Sequence, residues 1–422
     1  MRFSVPIVFL LVASAGAQES PQPTTEERLR ALEAELRELK AKQPAPQPAP
    51  EGAAPISNAA EGSSRTATRA SLTIGGYAEV FYQWNFNEPS NGITNYRGFD
   101  NRHNAFTMAN AVIDAQGQLG PVGAHVALQV GHTPETYYLV EPFSPGTNAA
   151  GTTSGAVWKF LQQAIASYKA PLGRGLLIEG GIFLSPIGPE GMAIKDQWNW
   201  SRSDLFFGLP FYHTGLRVSY PVTDRITTAL LVVNGWNSVV DNNPEKSLAG
   251  QVTYNVADRI TANFIYFTGV ERNVGAAEGR PWRHLFDAYV ALYPRKWLAL
   301  LAEADGGFEP NSFGTSGWAA GALYARVQPV RWLYLAARGD YFYEWVPAGA
   351  SPIFWPTSWV SSATATADVR PVDNVSFRVE YRHDQAAGNM FFDHQVPRDL
   401  MGAPLPNTNR QDTLTFGMTT WF

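Results

Sequence analysis

From residue 71 to the last residue, apolar and polar positions alternate one by one in stretch after stretch. The closing segment TLTFGMTTWF shows the pattern. Leu414, Phe416, Met418, Thr420 and Phe422 fall on one side of an extended chain, and Thr413, Thr415, Gly417, Thr419 and Trp421 on the other. Successive side chains of a strand point to opposite faces, so one face is apolar and the other small and mostly polar. The same rule predicts sixteen strands: 72–84, 105–119, 124–133, 159–171, 176–184, 213–221, 226–236, 247–256, 259–270, 283–293, 296–305, 317–328, 331–343, 357–370, 374–384 and 412–422. Most have the roughly 9–11 residues that a tilted strand needs to cross a bilayer, and an even number suits a single-chain bacterial barrel. Stretch 159–171 alternates least well, because Gln162 and Gln163 are adjacent.

The connections add a second regularity. Short links, GPVG (120–123), LGRG (172–175), PVTDR (221–225), VAD (256–258), PRK (294–296), QPVR (328–331) and RPVDN (370–374), carry the Pro, Gly, Asp and Asn of tight turns. Long links (85–104, 134–158, 185–212, 237–246, 271–282, 306–316, 344–356 and 385–411) alternate strictly with them. Every long loop then lies at one end of a barrel and both termini of the barrel at the other, as in outer-membrane proteins with short periplasmic turns. The expected fold is all-β: a closed antiparallel transmembrane β-barrel, with 412–422 pairing back onto 72–84 because closure leaves no free edge.

A charge facing the middle of the bilayer costs ~2–4 kcal/mol, so the charged strand faces must look inward. The lumen-lining candidates are Glu79, Asp114, Glu179, Arg217, Asp287, Glu303, Arg326, Arg338, Asp340, Asp368, Arg378, Glu380 and Arg382. Acids are at least as numerous as bases among them, which favours paired charges that stiffen a wet wall over a dedicated anion path. Trp84, Trp297, Trp332, Trp359 and Trp421 sit near strand ends, where interfacial girdles form.

Ahead of the barrel, Met1 to Ala17 has a basic residue, an apolar core and an A-x-A site, the parts of a cleaved signal peptide. Segment 18–42 contains a short coiled-coil-like helix. Thr24 and Glu27 form a capping box, and Leu29, Leu32, Leu36 and Leu39 make a brief seam suited to joining identical subunits or to docking on a surface. Residues 43–70 form a Pro/Ala/Ser-rich linker.

Composition narrows the function. Charged residues are 16% of the 422, against about 25% in soluble domains, while aromatics reach 13%. A formal charge of -5 gives no reason to expect nucleic acid as a partner, and the absence of cysteine removes thiol chemistry and disulfides. The seven histidines are scattered, and no G-x-S-x-G, HExxH, P-loop or dinucleotide motif is present, so no catalytic, cofactor or metal site is expected.

Stretches 76–114 (GYAEVFYQWNFNEPSNGITNYRGFDNRHNAFTMANAVID), 184–217 (LSPIGPEGMAIKDQWNWSRSDLFFGLPFYHTGLR) and the closing TLTFGMTTWF resemble the β-barrel porin-2, or OmpL-like, family, and the likeness runs across 71–422. The helix and spacer resemble the appendage of some other outer-membrane porins. The resemblance implies a bacterial outer-membrane barrel that forms a pore. The whole chain reads as a passive channel among outer-membrane lipids for small hydrophilic solutes, with a homotrimer as a candidate assembly. In general porins the third long loop folds inward, and by that analogy 185–212 is the candidate constriction. Its candidate residues are Glu190, Lys195, Asp196, Trp198, Trp200, Arg202 and Asp204, whose opposed charges would set a field across the pore. The alternatives are a sugar- or anion-specific channel, with sugars stacking on Trp198 and Trp200, and a structural barrel whose loops bind partners. In the first loop, Arg97, Asp100, Arg102 and His103 are expected to form a solvated network. Deleting Thr24 to Lys42 is expected to loosen the assembly, and mass measurement in mild detergent would show it.

Overall fold

The computed structural model describes residues 70–138, 158–241 and 243–422. The signal segment, the helix, nearly all of the linker and most of loop 134–158 lie outside the described residues. The described residues form sixteen strands: β1 (Ala70–Asn85), β2 (Ala105–Leu119), β3 (Val122–Val130), β4 (Leu161–Ala170), β5 (Leu176–Leu184), β6 (Tyr212–Pro221), β7 (Ile226–Val233), β8 (Ser247–Val256), β9 (Ile260–Val270), β10 (Trp282–Arg295), β11 (Leu298–Asn311), β12 (Gly314–Val330), β13 (Leu333–Trp345), β14 (Trp359–Val372), β15 (Val375–Ala386) and β16 (Arg410–Trp421). Each pairs antiparallel with the next, and β16 pairs with β1 to close the barrel. Closure runs in register from Tyr77↔Trp421 to Asn85↔Thr413. It ends in a pair of bonds that Phe422 exchanges with Gly76, at 3.1 and 3.3 Å.

The outer face follows the alternation. Leu230 and Leu323 are each 69% exposed, and Phe264, Phe377, Val379, Phe416 and Met418 are exposed on the same surface. Their chain neighbours Asn263, Ser376, Arg378, Glu380, Thr415 and Thr419 are buried on the inside. The uneven stretch around Gln162 also has a cause. The register between β3 and β4 slips there, from Ala127↔Gln163 to Leu128↔Leu161. Gln162 turns inward at the bulge and donates to Tyr77 Oη and Gln129 Oε1, both at 3.0 Å.

Two expectations need correction. Residues 306–316 are not a long loop: β11 and β12 run on and meet at a two-residue turn, Ser312–Phe313, with Glu309↔Ser316 and Pro310↔Thr315 still paired. The Gly, Pro, Asn and Ser content of this stretch imitates a loop, but the glycines serve packing. A Cβ on Gly307 would come within 2.3 Å of the Trp318 ring, so glycine is what lets that indole lie across the strand. The second correction concerns the lumen, which is not polar throughout. Ile265, Phe267, Leu285 and Phe342 are each 0% exposed yet stand on the inner face, with Leu231 and Val233 beside them. They pack against Ile187 and Leu209 of loop 185–212 in one apolar cluster. Strands such as ITTALLVV are apolar on both faces because lipid covers one and this loop covers the other.

Removing Trp421 and Phe422 deletes the last rung of closure and an aromatic anchor. The shortened chain should lose the heat-modifiable gel mobility of a folded barrel, while the full chain retains it.

Candidate channel constriction

Loop 185–212 leaves β5 and turns into the barrel. It makes a single 3-10 turn at Ile194–Asp196 and a four-residue helix at Asp204–Phe207, then rejoins the wall at β6. Ser203 caps the helix by accepting from Phe206 N–H at 3.2 Å. Such irregular backbone pairs few of its own peptide groups, and where it packs dry against the wall each unpaired one costs several kcal/mol. The wall supplies the partners.

The division is by charge. Wall carboxylates accept from the loop's amides. Glu380 takes Trp200 N–H at 2.5 Å and Ser201 N–H at 2.8 Å, Glu79 takes Ile194 N–H at 2.6 Å, Asp340 takes Asp204 N–H at 3.0 Å, and Asp287 takes Gly188 N–H at 3.1 Å. Wall arginines donate to the loop's carbonyls. Arg378 reaches Gln197 O at 2.8 Å and Asn199 O at 3.0 Å, Arg338 reaches Ser201 O at 2.7 Å and Arg202 O at 3.0 Å, and Arg382 also bonds Arg202 O. Hydrogen bonds to charged groups contribute about 1.5–3 kcal/mol each, so the set fixes the loop in one place.

The expected constriction residues divide by environment. Lys195 and Asp196, joined at 2.9 Å, and Trp198 face the open side toward the short turns. Glu190 pairs with Arg338 at 3.0 Å and accepts from Ser203 N–H at 2.8 Å. Trp200 is 1% exposed, its ring seated on Gly417 of β16, where a Cβ would come within 2.2 Å of the indole. Arg202 is buried and donates to Gly191 O, Trp200 O and Met192 O, bracing the loop from within. Asp204 pairs with Arg382 at 2.8 Å. Burial and the charge of Asp340 push its carboxyl well above the usual range, against the pull of Arg382. Gly417 gives no signal in the sequence beyond its place on the inner face of the last strand.

The inner-wall candidates also have distinct settings. On β13–β15, Arg338 pairs with Asp340 at 3.0 Å, Arg378 with Asp368 at 3.4 Å and Arg382 with Asp384 at 2.5 Å. On β10–β11, Asp287, Glu303 and Asp305 have no basic partner among the described residues. Glu303 accepts from Tyr324 Oη at 3.1 Å and Asp305 from Trp318 Nε1 at 2.7 Å. Nearer the short turns the lumen opens. The Glu179–Arg217 pair at 2.7 Å and the Asp114–His125 pair at 2.6 Å are partly exposed there, and Arg326 stands against rings rather than carboxylates.

The first loop folds inward as well. Arg97 pairs with Asp100, and with Asp384 of the wall at 3.3 Å. Burial disfavours the Asp100 charge, but Arg97 outweighs it and holds the carboxyl below the usual range. Arg97 and Asp100 are buried, not solvated as the sequence suggests, because Phe99 of loop 85–104 packs inside the rim against Phe206, Phe207 and Phe211, whereas Arg102 is exposed and His103 half-buried. Tyr96, Phe99, Tyr137, Phe207, Phe211 and Trp355 line a cavity of about 230 Å³ on the long-loop side of the constriction.

A family profile described as "Putative beta-barrel porin-2, OmpL-like" matches residues 71–422. The chain belongs to that family. This porin is therefore an outer-membrane channel protein for passive diffusion, built on a fold of channels rather than enzymes. No curated protein matches it in sequence. Among solved structures it is similar to the anion-selective porin from Comamonas acidovorans, with TM-score 0.55, 11% identity, and 84% of this chain and 100% of that one covered. OmpT of Vibrio cholerae in its trimer form gives TM-score 0.53 at 8% identity, covering 84% and 99%. The outer membrane channel DcaP of Acinetobacter baumannii gives 0.52 at 11%, covering 84% and 97%. At these identities the likeness speaks for the fold alone.

Gly417→Ala should unseat Trp200 at about 1–3 kcal/mol, the usual cost of overpacking. Folding by heat-modifiable mobility should persist, while tryptophan emission shifts and single-channel conductance changes. Glu380→Ala strands two loop amides and should give larger, noisier conductance steps.

Proposed function

We propose that solutes cross this porin beside loop 185–212, which sets both the rate and the charge preference of a general diffusion channel for small hydrophilic molecules. One observation carries the reading. The loop is tied across the lumen by wall acids on its amides and wall arginines on its carbonyls, so the free path is whatever the loop leaves. Lys195, Asp196 and Trp198 are the loop side chains that a solute meets from the short-turn side, which faces the periplasm. Arginines of β13–β15 are matched by carboxylates, and Asp287, Glu303 and Asp305 of β10–β11 are buried, so the charge preference is assigned to Lys195 and Asp196, the charged loop side chains left facing the path. A homotrimer is the proposed assembly, in keeping with the trimer form of the Vibrio cholerae OmpT neighbour. Export by a signal peptide cleaved after Ala17 is part of the same proposal.

Planar-bilayer recording tests the reading. Ohmic current carried by many ions is the expected result, with the charge preference read from the reversal potential in a salt gradient. Asp196→Asn and Lys195→Gln should each move that potential, and in opposite directions. Unchanged selectivity in both would remove the loop from its role. Current that saturates and is blocked by one solute would instead indicate a specific channel, and silence a structural barrel.

A further inference from the structure

At the short-turn mouth the inner wall holds a cavity of about 320 Å³, lined by Tyr293, Arg295, Lys296, Trp297, Arg326 and Tyr334. Arg326 points into the barrel. It sits opposite the buried Ala299 in the β11–β12 register and shares a face of β12 with buried Tyr324 and Ala322. Arg338, Arg378 and Arg382 are at most 3% exposed and have their donors committed to the loop and to carboxylates. Arg326 differs from them. It is partly exposed, and its side chain has no hydrogen-bond or ion-pair partner among the described residues. Its guanidinium lies over the Trp198 ring at 4.9 Å and the Tyr334 ring at 5.2 Å. Stacking uses the faces of a guanidinium and leaves its edge free, and that edge carries the N–H fork that fits a carboxylate in two-point contact.

The surroundings define the ligand further. Lys296 has no partner among the described residues, and Arg295 donates only to Pro294 O at 2.8 Å. Asp258 is the one carboxylate on the cavity wall. Asp368, the other acid near Arg326, is engaged by Arg370 at 2.8 Å and by Arg378. Positive charge therefore exceeds negative inside the cavity. Tyr293 and Trp297 offer ring surfaces, Tyr334 being covered by Arg326 and by Arg370 at 4.9 Å, and the lumenal setting keeps lipid phosphates away from Arg326.

We propose that this cavity is a binding site for small aromatic carboxylates, with the carboxylate on the N–H edge of Arg326 and near Lys296 and the ring against Tyr293 or Trp297. The site lies on the short-turn side of the constriction and touches it through Trp198, so an occupant narrows the path from that side. This deepens the channel reading at the mouth of the same pore and rests on it only for the direction of block.

Isothermal titration of the full-length, detergent-solubilised protein tests it, with benzoate and inorganic phosphate as probes. Benzoate should bind the native protein. Arg326→Gln should weaken it about tenfold or more, the size expected for losing a charge-assisted pair, and Lys296→Gln by a smaller factor. Arg326→Lys keeps the charge and loses the fork, so it should weaken benzoate while preserving heat-modifiable folding. Phosphate should bind more weakly than benzoate. No benzoate binding to the native protein, or equal binding by native and Arg326→Gln protein, would overturn the proposal. Phosphate binding as tightly as benzoate would overturn its aromatic part. Benzoate binding by a protein silent in bilayers would leave the site standing and defeat the channel reading instead. In a conducting protein, block by benzoate should be stronger from the short-turn side, and equal block from both sides would overturn the placement.

Discussion

Peptide groups buried between an irregular loop and the barrel wall have no solvent to satisfy them, and this constraint organises the interior of the barrel. Loop 185–212 has too little regular structure to pair its own amides and carbonyls. The wall therefore places acids where the loop offers N–H groups and arginines where it offers C=O groups. Arg338, Arg378, Arg382, Glu79 and Glu380 are almost wholly removed from solvent as a result. Charge on an inner wall is usually read as chemistry for the solute. Much of it here is structural, because an ionic side chain reaches an irregular backbone more strongly than a neutral one can.

Spending charge on the loop leaves unequal remainders. The β13–β15 side is neutralised pair by pair. The β10–β11 side keeps carboxylates satisfied only by a loop amide, a tyrosine and an indole. At the short-turn mouth the excess reverses to positive, around an arginine held by rings. The path is therefore polar in different senses at different depths, and an average over the whole wall would miss this.

The barrel was legible in the sequence because lipid imposes a rule that each strand repeats. Alternation, strand length and the sorting of turns place all sixteen strands and the β1–β16 seam. Legibility failed where a second surface replaced water. Residues 306–316 look like a loop because Gly307 and Pro310 are turn-type residues, but the ring of Trp318 and the pairing of β12 decide their conformation. The Arg97–Asp100 pair looks solvated because it lies in a loop, and it is buried because that loop folds inside the rim. The candidate site was legible as a location and less so in its roles. Trp200 and Arg202 carry the same signals as Lys195 and Trp198, and only the positions of Gly417, Met192 and Gly191 separate braces from lining. Long-range contacts of that kind leave no local pattern.

The seat of Trp200 is on β16, more than two hundred residues further along the chain and the last of the sixteen described strands. Glu380, which holds the adjoining amides, lies on β15. A barrel lacking these two strands thus lacks the latch for its own constriction, and acquires it as they complete the wall. Sealing the wall and restricting the opening are one event in assembly, so an unfinished barrel is leaky at its edge and unguarded at its centre together.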